Sequence, residues 1–165
     1  MFKKVLAATV ALFVGSVAAG EAPITGTVQS KCVIVTDTVG IYGNPSPSIL
    51  STAAAAGGVE PIIRYDVINA DYYKAVITTP NDFSSSPALN DVVNWTGTVE
   101  VAEVTDAGMS AYDQNKIQYN NVTEVDLTIA GTVWFKVSSQ ADYGYNKSFP
   151  AGTYNAVVTA ECVAL

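Results

Sequence analysis

The chain has 165 residues, 49% of them hydrophobic and only 14% charged, with a formal net charge of −7. That is too apolar for a disordered tail and too poor in Lys, Glu and Arg for a coiled coil. An acidic surface repels phosphate backbones, so no nucleic-acid partner is expected, and the absence of histidine excludes Ser-His-Asp and Cys-His nucleophiles and every His-based metal site.

Residues 1–20 read as an export signal. Lys3 and Lys4 form a short basic start, residues 5–17 are apolar and uncharged, and Val17-Ala18-Ala19 offers small residues for cleavage after Ala19 or Gly20. The apolar run is shorter than the roughly 20 residues a spanning helix needs. No later segment is apolar enough to hold the chain in a membrane, so no stable membrane insertion is expected. Residues 21–165 then form a single exported domain, with a net charge of about −9 once Lys3 and Lys4 leave with the signal.

Beyond the signal the hydrophobic period is two, not 3.6. In 24–34 the even positions, among them Ile24, Gly26, Val28, Cys32 and Ile34, are the more apolar, which predicts a strand with Cys32 facing inward. Residues 50–56 predict a turn of helix stopped by Gly57-Gly58. Strands follow over 61–68 and 72–79, with Asn69-Ala70-Asp71 between them as a hairpin turn. A further short turn is expected over 88–95 and a strand over 96–105. The clearest alternation runs from 124 to 137, with Val125, Leu127, Ile129, Val133, Phe135 and Val137 on one face. It reads as one long strand bent at Ala130-Gly131 and passing between sheets, or as two strands joined there. The last strand places Tyr154, Ala156, Val158, Ala160 and Cys162 on one face. Loops rich in Gly, Pro, Asn, Asp and Ser are expected over 42–48, 79–87, 106–116 and 138–150.

Seven to nine short strands in about 145 residues predict an all-β fold, an immunoglobulin-like sandwich ahead of a small closed barrel. The two cysteines, Cys32 and Cys162, fall on the inward faces of the first and last strands. In an exported chain they are most simply a disulfide, which requires Cα atoms about 5.5–6 Å apart and hence adjacent first and last strands.

No catalytic motif stands out, and an enzyme is not expected. Asp66 with Asp71 and Glu100 with Glu103 are near in sequence, but paired-acid catalysis needs a cleft that sequence alone does not supply. Asp66, Asn69 and Asp71, or Asp113 with Asn115, lack the spacing of a calcium loop and read as turn residues, so neither metal nor cofactor is expected. Tyr72, Tyr73, Tyr112, Tyr119, Tyr143 and Tyr145 could stack on sugars, although tyrosine is also an ordinary strand residue. Trp134 sits on the polar-side parity of its strand. The triplets at Asn94, Asn121 and Asn146 match a glycosylation acceptor, but the short Lys-Lys signal looks bacterial, and they read as chance.

Pro150-Ala151-Gly152-Thr153-Tyr154 and the strand after it, together with the segment 40–52 (GIYGNPSPSILST) and a cysteine in the first strand, resemble bacterial fimbrial subunits of the chaperone–usher and spore-coat-U-like pilin families. The resemblance implies an incomplete immunoglobulin-like domain that assembles with copies of itself or related subunits, aided by a periplasmic chaperone and an usher. Each subunit would donate residues 21–30 as a strand, with Ile24, Gly26 and Val28 facing its neighbour. Two features depart from the family pattern. The family's usual disulfide joins strands earlier in the chain, and the usual penultimate tyrosine is missing. A strand inserted between first and last strands would also part them by nearly 10 Å, which a Cys32–Cys162 bond cannot cross. Either the bond lies beyond the end of the groove, or the domain is complete by itself. In the second case the chain would be a self-contained secreted or periplasmic binding module for a carbohydrate or protein ligand.

Overall fold

The structure, a computed structural model, describes residues 24–27 and 32–165. The expected signal over 1–20 lies outside the described residues, as does Val28. Among the described residues there are ten strands: β1 (Cys32–Thr38), β2 (Gly43–Ser46), β3 (Ile49–Ser51), β4 (Ile62–Val67), β5 (Tyr73–Thr78), β6 (Val93–Val104), β7 (Ile117–Tyr119), β8 (Val122–Asp126), β9 (Gly131–Tyr143) and β10 (Thr159–Ala164). The surplus over the expected seven to nine comes from β2, β3 and β7. They are three or four residues long, too short for alternation to announce them.

Two antiparallel sheets enclose one core. The larger runs β1-β4-β9-β3-β2, with β6 on the other side of β9; the smaller runs β10-β5-β8-β7. β9 organises the larger sheet. Its first half pairs β4, Gln140, Ala141 and Asp142 near its end pair β3, and β6 follows nearly its whole length. Its alternation is strict, with Val133, Phe135, Val137, Ser139, Ala141 and Tyr143 buried. Against these and Ile63, Tyr65, Val67 and Val99 pack Ala75, Ile77, Val125 and Leu127 from the opposite side. Met109 and Tyr112, from a short 3-10 turn (Ala107–Ala111) and one turn of helix, α1 (Tyr112–Asn115), fill one end of the core.

Several expectations need correction. The loop expected from 138 starts only after Tyr143, because Ser138, Ser139 and Gln140 continue β9 and pair β6. The strands over 61–68 and 72–79 form, but not as a hairpin: β4 pairs β1 and β9, whereas β5 pairs β10 and β8. Asp71, in the left-handed conformation at φ 62°, sits where the chain crosses from one sheet to the other, and its N–H bonds to Leu127 O. The turn residues were read correctly, but both strands bury a face in the same core from opposite sides. The stretch 124–137 does change sheets at Ala130-Gly131, as two strands and not one. Gly131 has φ 144°, and a Cβ there would press on the Met109 methyl group at 2.8 Å. Residues 88–92 form no helical turn; the chain goes directly into β6. The short helix near 50–56 is present as Ala54–Ala56, ended by Gly57 at φ 78°.

The first and last strands are joined as expected, but they are edge strands of different sheets and not hydrogen-bonded neighbours. The Cys32–Cys162 disulfide spans them with a Cα separation of 6.4 Å, inside the usual range. Beside it, fully buried Tyr65 donates its hydroxyl to Glu161 O at 3.2 Å and stacks edge-on against Phe135. Two cross-sheet ties therefore act at one end of the sandwich. Burial pushes the Tyr65 phenol well above its ordinary value of 10.0. With the folded value raised, stability from the neutral phenol is fully present below pH 10 and is lost as pH rises above it. Alkaline urea titration should show stability falling above pH 10, and Tyr65→Phe should flatten that fall while costing about 1 kcal/mol at neutral pH for the lost hydrogen bond.

Candidate functional site

The site that stands out is the space between the two edges the disulfide joins. Four residues beyond Cys32 in one strand, and four before Cys162 in the other, a groove of 590 Å³ opens, flanked by Thr36 and Val158. One wall is the end of β1 and the loop through Val39, Gly40, Ile41 and Tyr42. The other is the extended segment from Gly152 to Val158. The floor is Leu50, Thr52, Pro61, Ile63 and Ser139 from the larger sheet. The disulfide thus lies outside the groove, and neither cysteine lines it.

Both walls are strands short of a partner. Among the described residues β1 pairs only β4 and β10 pairs only β5. The segment before β10 keeps strand alternation, with Tyr154, Ala156 and Val158 half-buried and Asn155 and Val157 exposed. Yet among the described residues no backbone hydrogen bond ties Ala156, Val157 or Val158 to any neighbour. Unpaired backbone groups on an extended edge are a template for another strand. Three apolar side chains along the rim stand in solvent: Val39 at 75%, Ile41 at 58% and Val157 at 58%. Among the described residues no charged one lines the groove, on a protein with 15 acids. Its floor grades from apolar at Ile63 to polar at Ser139, whose hydroxyl pairs with Tyr42 Oη at 2.8 Å. Burial raises the Tyr42 phenol above its ordinary value despite that bond.

The wall around Gly152 is held from behind by aromatic rings. Phe83 packs edge-on against Trp95, Phe149 and Tyr154, and Phe149 stacks on Tyr143 at 5.0 Å. Tyr154 Oη donates to Pro150 O at 2.7 Å. Gly152 has φ 153°, and a Cβ there would meet Pro87 Cγ at 2.4 Å. The Pro150–Tyr154 motif therefore has a local role: it turns the chain over Pro87 and aims it along the groove.

The other open edge of the larger sheet is treated differently. Val137 gives its N–H to Pro61 and Ser139 accepts from Thr52 N–H, both on the side away from β6. Their partners Val99 and Gly97 consequently face outward. There, side chains satisfy the backbone: Asp113 accepts from Val101 N–H at 3.0 Å, Lys116 Nζ donates to Val99 O, and Gln118 donates to Gly97 O at 3.3 Å. Side-chain capping of this kind denies an edge to incoming strands. Among the described residues no side chain caps the backbone of 156–158 in this way.

The remaining candidates do not gather. Asp66 pairs with Arg64 at 3.1 Å and accepts from Thr132 Oγ1, and Asp113 is occupied at β6. Among the described residues no three Cys, Asp or Glu side chains lie close enough to share a metal. Exposed Tyr72 and Tyr119 sit at opposite ends of the smaller sheet. Trp134 is cross-strand from Arg64 on the outer face. Ile24 is 99% exposed and Gly26 has nothing near it, so the described part of the candidate donor segment does not occupy the groove. Sequence reasoning did not assign the residues at 39–42 to a groove wall, although the segment 40–52 is among those that carry the family resemblance. Comparison with protein-family models, with curated proteins and with solved structures finds no match for this chain.

The β6 cap can be tested alone. Asp113→Ala should speed hydrogen exchange at the Val101 amide at least tenfold and lower stability by about 1–2 kcal/mol, as read by exchange mass spectrometry and urea unfolding.

Proposed function

We propose that the protein is an exported structural subunit, without enzymatic activity, that builds a cell-surface filament by strand addition. Copies of itself, or related subunits, add residues 21–30 to the groove. The observation that carries this reading is the groove itself: two unpaired strand edges a disulfide apart at one end, an uncharged lining and exposed aliphatics on the rim. The segment matches it chemically. Residues 22–30 carry no charge, and Ile24, Gly26 and Val28 share one face. Main-chain bonds would supply affinity and alternate side chains the register. On this reading the domain is an incomplete immunoglobulin-like sandwich, and a periplasmic chaperone and an usher are the expected assembly partners. The disulfide fits an oxidising compartment.

A second reading rests on a separate polar cavity of 610 Å³ beside Trp95, lined by Asn81, Thr96, Asn120 and Asn121. An aromatic face among amide side chains suits a sugar ring, as in a secreted binding module. Such a protein would stay monomeric and melt at a higher temperature with a ligand present.

Protein beginning at Glu21 should form ladders on gels after mild heating. Deleting residues 21–30, or changing Ile24→Asp, should reduce the ladders to monomer without lowering the melting temperature of the monomer. A wild-type protein that is strictly monomeric at high concentration contradicts the proposal.

A further inference from the structure

The donor segment and the groove belong to the same chain, which raises the question of why a subunit would not fill its own groove. The segment enters the domain at Cys32, so to lie beside β1 it would have to fold back as a hairpin. The strand entering that hairpin would pass between Cys32 and Cys162. An intervening strand needs its flanking strands roughly 9–10 Å apart; the two cysteine Cα atoms are 6.4 Å apart. Tyr65, hydrogen-bonded to Glu161 O from within the core, holds the same edge of β10 from a second direction. The lining of the groove begins at Thr36 and Val158 and does not include the two cysteines.

We infer that the Cys32–Cys162 disulfide is a gate that bars the N-terminal segment from its own groove, so that the groove's occupant is a second copy of this chain. The inference rests on the strand-addition reading. It assigns the bond a role besides stability: it closes the end where the chain's own segment would enter and leaves open the end at Ile41 and Gly152, which only another molecule's segment reaches directly. Oxidation before assembly then commits the subunit to exchange between copies.

The test uses the protein from Glu21 onward, at concentrations low enough for monomers, and a synthetic peptide of residues 21–30 as probe. Oxidised wild-type monomer should bind the peptide and gain about 5 °C or more in melting temperature. Two variants relieve the gate. Inserting a flexible linker of about six residues after Ser30 keeps the disulfide but lets the arm pass around it, adding roughly 20 Å of reach. Cys32→Ser with Cys162→Ser removes the obstruction itself. Both should remain monomeric at concentrations where wild type assembles, and both should lose the peptide-induced shift because their own segment fills the groove. The linker variant decides the matter if the serine variant does not fold. A linker variant that assembles and takes up peptide as wild type does overturns the gate. So does an oxidised wild-type monomer that refuses peptide while its Ile24→Asp form accepts it, since its groove is then already self-filled. If both of those wild-type backgrounds refuse peptide, strand addition itself is wrong, and the gate falls with it.

Discussion

One covalent constraint shapes this molecule: the bond between Cys32 and Cys162 holds the edges of two different sheets together at a single point. Had the edges been paired along their length, the sheets would close on that side and the fold would have no seam. Had they not been tied at all, nothing would fix their separation. The edges are tied at one end by the disulfide and by Tyr65, one wall is backed by the Phe83–Phe149–Tyr154 rings, and between them lies the groove. The chain-entropy argument makes the same bond a large stabiliser, since it closes a loop of 130 residues and restricts the unfolded state by about 4–5 kcal/mol. Stability and the shape of the groove thus share a source.

Two exposed edges, β6 in the larger sheet and the segment leading into β10 of the smaller one, show how selectivity can be built without a motif. At β6, Asp113, Lys116 and Gln118 spend their polar atoms on backbone groups that a foreign strand would want. At the groove the backbone of 156–158 is unpaired and the neighbouring side chains are apolar. An edge left unprotected is a hazard unless something covers it. On the proposed reading a neighbouring subunit does.

Much of the fold was legible in the sequence because period-two alternation records which face of a strand is buried. It located β4, β5, β6, β8 and β9, and it placed Cys32 and Cys162 inward. Alternation does not record which strand lies alongside. Ile63, Tyr65 and Val67 look the same whether β4 pairs with β5 or faces it across the core, and so the hairpin expected at Asn69-Ala70-Asp71 is a crossover instead. The site was legible in the same partial way. The pattern from Tyr154 to Cys162 announced a strand throughout, and the structure keeps its alternation, but the ladder starts only at Thr159. That missing pairing over 156–158 is long-range information, visible only when β1 is placed opposite. The Gly152 turn and the rim at Val39 and Ile41 depend likewise on contacts that no local pattern encodes.

The most direct measurement is backbone amide exchange at Ala156, Val157 and Val158, compared between isolated and assembled protein. The account predicts rapid exchange in the monomer and protection of a hundredfold or more on assembly, as each strand edge gains a partner. Equal exchange in the two states, or strong protection in the monomer, would contradict it.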